Sequence, residues 1–268
     1  MSTPTDSRTD PAAGAPSRGR IALVTGGNRG IGRSSALRLA ADGVDLILTY
    51  RSHPEEAEAV VAEAEALGRT ARALRLDTGR VEDFPAFADA LRDALKQGWD
   101  RDTFDYLVNN AGHAAGGPIA ATTVEDFDGL VNVHLRGVYF LTQTLLPLLT
   151  DGGRIVTLSS GLTRFVGPGF SAYAAVKGAV EVFTRYLAVE LGPRGISANT
   201  VAAGAVASDF AGGLVRDDAE FQARIGAATA LGRVGLPDDI GGAVAALLGE
   251  GTGWITGQRI EVSGGQQL

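Results

Sequence analysis

From residue 20 onward, short runs in which nearly every position is apolar alternate with longer runs in which apolar residues recur every three or four positions. The short runs IALVT (21–25), VDLILTY (44–50), ARALRLD (71–77), FDYLVNN (104–110), GRIVTLSS (153–160), ISANTV (196–201) and QRIEVS (258–263) read as strands. The longer ones include RSSALRLAADG and EEAEAVVAEAEALG, the latter with acids early and Gly at its end, as helix termini favour. Near-continuous apolar strands separated by helices predict an α/β fold, a single doubly wound parallel sheet of about seven strands with helices on both faces. Ligands of such a sheet bind at the carboxyl ends of its strands.

No internal repeat and no Pro/Ser-rich linker interrupts residues 20–268, so one domain is expected there. The first nineteen residues, MSTPTDSRTDPAAGAPSRG, predict a disordered tail without the apolar run of a secretory signal. Periodicity is weakest over 203–236, where a loop-helix insertion acting as a mobile lid over substrate is expected. A hydrophobic content of 45% fits a folded core, and a net charge of −7 argues against nucleic acid, which needs clustered Lys and Arg. The absence of Cys excludes disulfides, thiolate metal sites and a Cys nucleophile, and no metal site is expected. Without an uninterrupted stretch of about eighteen apolar residues, no membrane span is predicted, and a cytoplasmic location is expected.

Directly after the first strand, TGGNRGIG (Thr25 to Gly32) leads into a helix. Gly26, Gly30 and Gly32 have the spacing of a strand-to-helix turn whose backbone approaches a pyrophosphate at the helix amino end, with Asn28, Arg29 and Ile31 beside it. A site for NAD places an acid after the second strand to hold the ribose hydroxyls. This chain instead reads TYRS, with Tyr50 and Arg51 there and Arg29 inside the turn. Two guanidinium groups clamping a 2′-phosphate predict NADP(H).

The helix SAYAAVKGAVEVFTRYLAVELG (171–192) puts Tyr173 and Lys177 on one face. A phenol with a pKa near ~10 is a poor base, but an ammonium roughly 4 Å away favours phenolate by about three pKa units. That suits Tyr173 to proton transfer with a substrate oxygen. Ser160, thirteen residues earlier at a strand end, is positioned to donate to the same carbonyl.

With these motifs, together with LDT (76–78), NNAG (109–112), SS (159–160), YAAVK (173–177) and GQRIEVSGG near the carboxyl end, the chain over about 20 to 265 resembles the short-chain dehydrogenase/reductases. Within them it resembles NADP(H)-dependent carbonyl reductases of the 3-oxoacyl-carrier-protein-reductase kind. The resemblance implies a Rossmann fold, with Tyr173 as general acid/base, Lys177 lowering its pKa and holding the nicotinamide ribose, and Ser160 orienting the carbonyl. It also implies that Asp77 and Thr78 lie by the adenine, that Asn110, Ala111 and Gly112 line the cofactor, that Gly204 and Val206 lie at its nicotinamide end, and that Ser208 contacts its carboxamide or a phosphate. Members are dimers or tetramers built through two long helices, here about 123–149 and 171–192, so a homo-oligomer is expected. The chain departs from the pattern at Ala203-Gly204, where Pro-Gly is usual, at Ser208 for Thr, and at Ser263-Gly264-Gly265 for Asp-Gly-Gly.

The family's fourth residue, an Asn in N-L-x-G, falls within GLVNVHLRGVYF. Aligning Leu135 and Gly137 puts His134 there, with Asn132 about 200° away on a regular helix and outside the chemistry. Either only the His134 backbone serves, or its imidazole joins a proton relay. The substrate, a small carbonyl or alcohol compound, is expected among Phe165, Val166, Phe170, Phe210 and Leu214, beside Arg164 and His113. A hydride-transferring enzyme is thus the leading function, and an idle NADP(H)-binding regulator or scaffold the alternative, discriminated by NADPH oxidation with ketones.

Overall fold

The computed structural model describes residues 19–268, so the tail expected over 1–19 lies, apart from Gly19, outside the described residues. Strands β1 (Ile21–Val24), β2 (Asp45–Tyr50), β3 (Ala71–Arg75), β4 (Phe104–Asn109), β5 (Leu149–Ser160), β6 (Ser197–Ala203) and β7 (Arg259–Val262) correspond to the seven predicted runs. β5 begins earlier than expected, absorbing Leu149 to Gly152, which the hydrophobic pattern leaves outside. All pair in parallel, in the order β3-β2-β1-β4-β5-β6-β7. The chain therefore winds outward in both directions from the β1–β4 pair, and a crevice opens there at the strands' carboxyl ends.

The helices are α1 (Gly30–Ala41), α2 (Pro54–Ala66), α3 (Phe84–Trp99), α4 (Val124–Val131), α5 (Val138–Leu145), α6 (Ser171–Leu191), α7 (Leu214–Asp217), α8 (Ala219–Ala227) and α9 (Pro237–Leu248). Because side chains alternate along a strand, each strand feeds two cores. Ala22, Val24, Leu46 and Leu48 pack with α1, α2 and α9, while Ile21, Leu23 and Ile47 pack with α3, α5 and α6. Two layers of helix on a sheet buried on both sides explain why the strands carry so few polar residues. Among the buried polar residues the strands do carry, Asp105 ties the sheet's amino end: it accepts from the Ile21 amide at 2.8 Å and pairs with Arg101 at 2.8 Å.

The helix expected over about 123–149 is not continuous. A wide π-type turn, Asn132–Gly137, separates α4 from α5, and such turns concentrate at functional sites. The insertion expected over 203–236 holds α7 and α8, joined to β6 by an irregular segment. No helix of the described residues is long and apolar enough to cross a membrane, and they hold no metal-binding cluster.

Candidate active site

One cleft of about 580 Å³ runs along the carboxyl ends of the strands. Gly26, Asn28, Arg29, Gly30, Ile31 and Gly32 line it from the turn after β1, and Arg51, Asp77 and Thr78 from the ends of β2 and β3. Asn110, Ala111, Gly112, Gly204, Val206 and Ser208 line it from the loops after β4 and β6, and Ser160, Tyr173, Lys177 and His134 complete it. Tyr50 does not join them. Its ring packs against the core beneath α1 and α2, because alternation along β2 points Thr49 and Arg51 into the cleft and Tyr50 away.

The turn after β1 is held from behind. Asn110 donates through Nδ2 to the carbonyls of Thr25 (2.8 Å) and Gly26 (3.1 Å), and the Thr25 hydroxyl accepts from the amides of Asn110 and Ala111. Gly32 sits so close to this turn that a Cβ there would fall 2.1 Å from the Gly26 carbonyl oxygen. No side chain caps α1, leaving its first amides directed at the cleft. Exposed Arg29 and Arg51 flank this end, and neither is paired with an acid among the described residues.

At the other end, Tyr173 and Lys177 project from one face of α6, 7% and 5% exposed. The Tyr173 ring meets His134 edge-to-face at 5.3 Å and Phe210 at 5.8 Å between centroids. Lys177 Nζ donates to the Leu158 carbonyl at 2.8 Å and lies 5.6 Å from the centre of the Tyr173 ring. The ammonium expected to depress the phenol's pKa is thus turned toward the β5 backbone. Burial dominates both groups, raising the pKa of Tyr173 and lowering that of Lys177 to about 8. Ser160, 9% exposed, accepts from the Leu162 amide at 3.2 Å, which closes the turn after β5.

His134 is 1% exposed. Its Nε2 lies 2.7 Å from the His113 carbonyl oxygen and 3.3 Å from the His113 amide nitrogen, and Nδ1 has no partner. Burial first, then the Lys177 charge, pushes its pKa well below the ordinary value. Asn132 does not line the cleft.

Phe165, Phe170, Phe210, Leu214 and His113 line the cleft as expected. Val166 and Arg164 do not: Val166 is 84% exposed, and Arg164 turns to Glu261 and the carboxyl-terminal backbone. Gln266, Gln267 and Glu181 are among the residues that sequence reasoning passed over. Gln266 and Gln267 line the cleft with no local signal in the sequence. Glu181 continues the face of Tyr173 and Lys177 by one more turn, a spacing that was legible. Its Oε1 accepts from Ser159 (2.7 Å), Thr163 (2.8 Å) and Arg259 (3.0 Å), bracing the residues on either side of Ser160.

A family model described as enoyl-(acyl carrier protein) reductase matches residues 26–267. The NADPH-dependent aldehyde reductase-like protein, chloroplastic, of Arabidopsis thaliana is 37% identical over 262 residues, covering 93% of this chain and 95% of its own. Among solved structures, the promiscuous reductase LugOII, which catalyses keto-reduction at C1 during lugdunomycin biosynthesis, matches with a TM-score of 0.89 at 37% identity, over 94% of this chain and 100% of its own. The angucycline C-6 ketoreductase LanV with bound NADP matches with a TM-score of 0.88 at 34% identity, over 92% of this chain and 95% of its own.

Proposed function

The chain belongs to the short-chain dehydrogenase/reductase family, and from that premise we propose that it transfers a hydride between NADP(H) and a ketone or secondary alcohol, working as a carbonyl reductase. The observation that carries this is the convergence of Ser160, Tyr173 and Lys177 in the same cleft as the glycine turn and the Arg29–Arg51 pair.

The cradle fits a dinucleotide phosphate. Gly32 has no room for a Cβ, the amino end of α1 is uncapped, and the neighbouring side chains are cationic where an NAD site carries an acid. In this proposal the turn from Gly26 to Gly32 holds the pyrophosphate, Arg29 and Arg51 the 2′-phosphate, and Asp77 and Thr78 the adenine. Asn110 to Gly112, Gly204, Val206 and Ser208 then hold the nicotinamide end. NADP(H), when bound, supplies or accepts the hydride. The relatives and neighbours named for NADPH or solved with NADP support the choice of cofactor.

Tyr173 keeps its proton in the buried cleft, which suits it to give that proton to a ketone oxygen as the oxygen gains charge. Lys177, with a pKa of about 8, stays largely protonated at neutral pH, and its charge offsets the phenolate left behind. Ser160 donates its hydroxyl proton to the same substrate oxygen and holds the carbonyl in place. His134 stays neutral, so its ring acts as a brace between Tyr173 and the His113 backbone rather than as an acid.

The segment over 203–236 is proposed to close over substrate, supported by Phe210, Leu214, Phe221 and Ile225 lining the cleft from it. A cytoplasmic location and a dimer or tetramer through α5 and α6 belong to the same proposal. Exposed Tyr139, Phe140, Tyr186 and Val189 on those helices support the oligomer. The test is oxidation of NADPH by the purified protein across a panel of aliphatic and aromatic ketones, alongside Tyr173→Phe. Absence of ketone-dependent oxidation despite NADPH binding would sink the proposal.

A further inference from the structure

We propose that Arg164 fixes the last residues of the chain as one wall of the substrate pocket, which makes Gln266 and Gln267 specificity-determining residues and Arg164 the residue that positions them. The inference rests on the ketone-reductase reading, because the cleft is the same.

Arg164 follows Ser160 by four residues, yet it does not face the cleft. Four of the five donors of its guanidinium fork are engaged. Nε and Nη2 grip the two carboxylate oxygens of Glu261 at 2.7 and 2.6 Å. Nη2 also donates to the Gln266 carbonyl at 2.6 Å, and Nη1 to the Gln267 carbonyl at 2.9 Å. Glu261 is itself anchored by Arg259 (3.0 Å) and by the Ser263 hydroxyl (2.7 Å). The fork is thereby aimed by β7 at the chain's own carboxyl-terminal backbone, and it is not available to a substrate anion.

What it holds is a constrained segment. Gln267 has a φ of 52°, in the left-handed region that a residue with a side chain seldom adopts. Its amide donates to the Ala228 carbonyl at 2.8 Å at the end of α8, and its carbonyl accepts from Arg164. Both peptide groups around this residue are therefore pinned. Gln266, 4% exposed, accepts through Oε1 from the Ala205 amide at 3.0 Å in the loop after β6. The dipeptide thus joins three elements that bound the cleft: the turn after Ser160, the loop after β6 and the end of α8. Of the two, Gln267 is exposed, at the cleft's edge, with an amide that both donates and accepts. It suits a ketone carrying a hydroxyl or carbonyl oxygen at a distance from the reacting carbon.

The test compares the full-length wild type with Arg164→Met, Arg164→Lys and Gln267→Ala. Steady-state kinetics use 1-tetralone and its hydroxylated derivatives, and hydrogen exchange is followed in the carboxyl-terminal peptide. Arg164→Met should speed exchange across residues 264–268 and raise the ketone KM by about tenfold, with kcat and the NADPH KM within about twofold, the pattern of lost substrate binding. Arg164→Lys, which keeps the charge without the fork, should recover part of both effects. Gln267→Ala should raise KM for the hydroxylated ketones more than for 1-tetralone. Unchanged exchange in Arg164→Met overturns the inference, as does faster exchange with an unchanged ketone KM, or equal losses in kcat and in NADPH binding. If the wild type reduces no ketone, the functional reading fails, and with it the specificity role; the exchange comparison then still decides whether Arg164 holds the segment.

Discussion

His134 Nε2 lies 2.7 Å from the His113 carbonyl oxygen, while Nδ1, equally buried, meets no hydrogen-bond partner. A neutral imidazole has one proton, and the short contact requires it on Nε2. The other tautomer would accept from the His113 amide at 3.3 Å and bury an unpaired N–H, the costlier orphan. With its pKa pushed well down by burial, His134 ties α4–α5 to the segment after β4 and gives the Tyr173 ring a flat neighbour. In the proposed reading, the side chain at this position serves packing and tethering.

Gly112 and His134 should behave as a coupled pair. A Cβ at position 112 would sit 2.4 Å from His134 Cε1. Gly112→Ala alone should destabilise by about 1–3 kcal/mol through overpacking. In a His134→Ala background the same change should cost much less, because the obstructing ring is gone. Thermal unfolding of the four proteins of this cycle measures the coupling, and strictly additive losses would refute it.

Lys177 sets a pH dependence of stability. Its folded-state pKa, about 8, lies below the ordinary 10.5, so between these values the unfolded chain binds more protons and stability rises with pH. Tyr173 acts in the opposite sense only above its ordinary value of 10.0, where the folded state retains a proton that the unfolded state has lost. The melting temperature of the cofactor-free wild type, relative to Lys177→Met, should therefore climb from about pH 8 to about pH 10. A flat or falling difference across that window counts against the buried ammonium.

Arg51 should discriminate between cofactors. Loss of a charge-assisted contact of about 1.5–3 kcal/mol corresponds to roughly 10- to 150-fold in NADPH KM. Arg51→Asp should show that loss and improve NADH, whose ribose hydroxyls an acid can accept from. Parallel KM determinations for both cofactors check this, and a wild type preferring NADH would remove its basis.

Glu181 should influence catalysis without touching substrate or cofactor. Its Oε1 gathers the Ser159 and Thr163 hydroxyls and the Arg259 guanidinium, side chains 12% and 24% exposed for Glu181 and Arg259. Glu181→Ala removes one of the two acids on Arg259, leaving it Glu261, and frees the turn carrying Ser160, with an expected fall in kcat of about tenfold and little change in NADPH KM. Glu181→Gln, which keeps an acceptor, should retain more of kcat at the same melting temperature. Equal kcat in the two variants would show that the brace is only structural.

Much of this protein was written locally. The seven strands follow from apolar runs, the glycine turn from spacing around Gly26 and Gly32, and the shared face of Tyr173 and Lys177 from helical periodicity, since each depends on residues close in sequence. The tertiary structure alone decided which way side chains of equal chemistry turn. Tyr50 faces the core and Arg51 the cleft because of one step of strand alternation. Arg164 leaves the pocket for Glu261, which is 97 residues away, and Gln266 and Gln267 enter it only because the chain's end folds back over the loop after β6. Lys177 stays beside the Tyr173 ring but gives its hydrogen bond to the Leu158 carbonyl, since a buried ammonium takes a strong acceptor in reach, and helical spacing says nothing about where that acceptor lies.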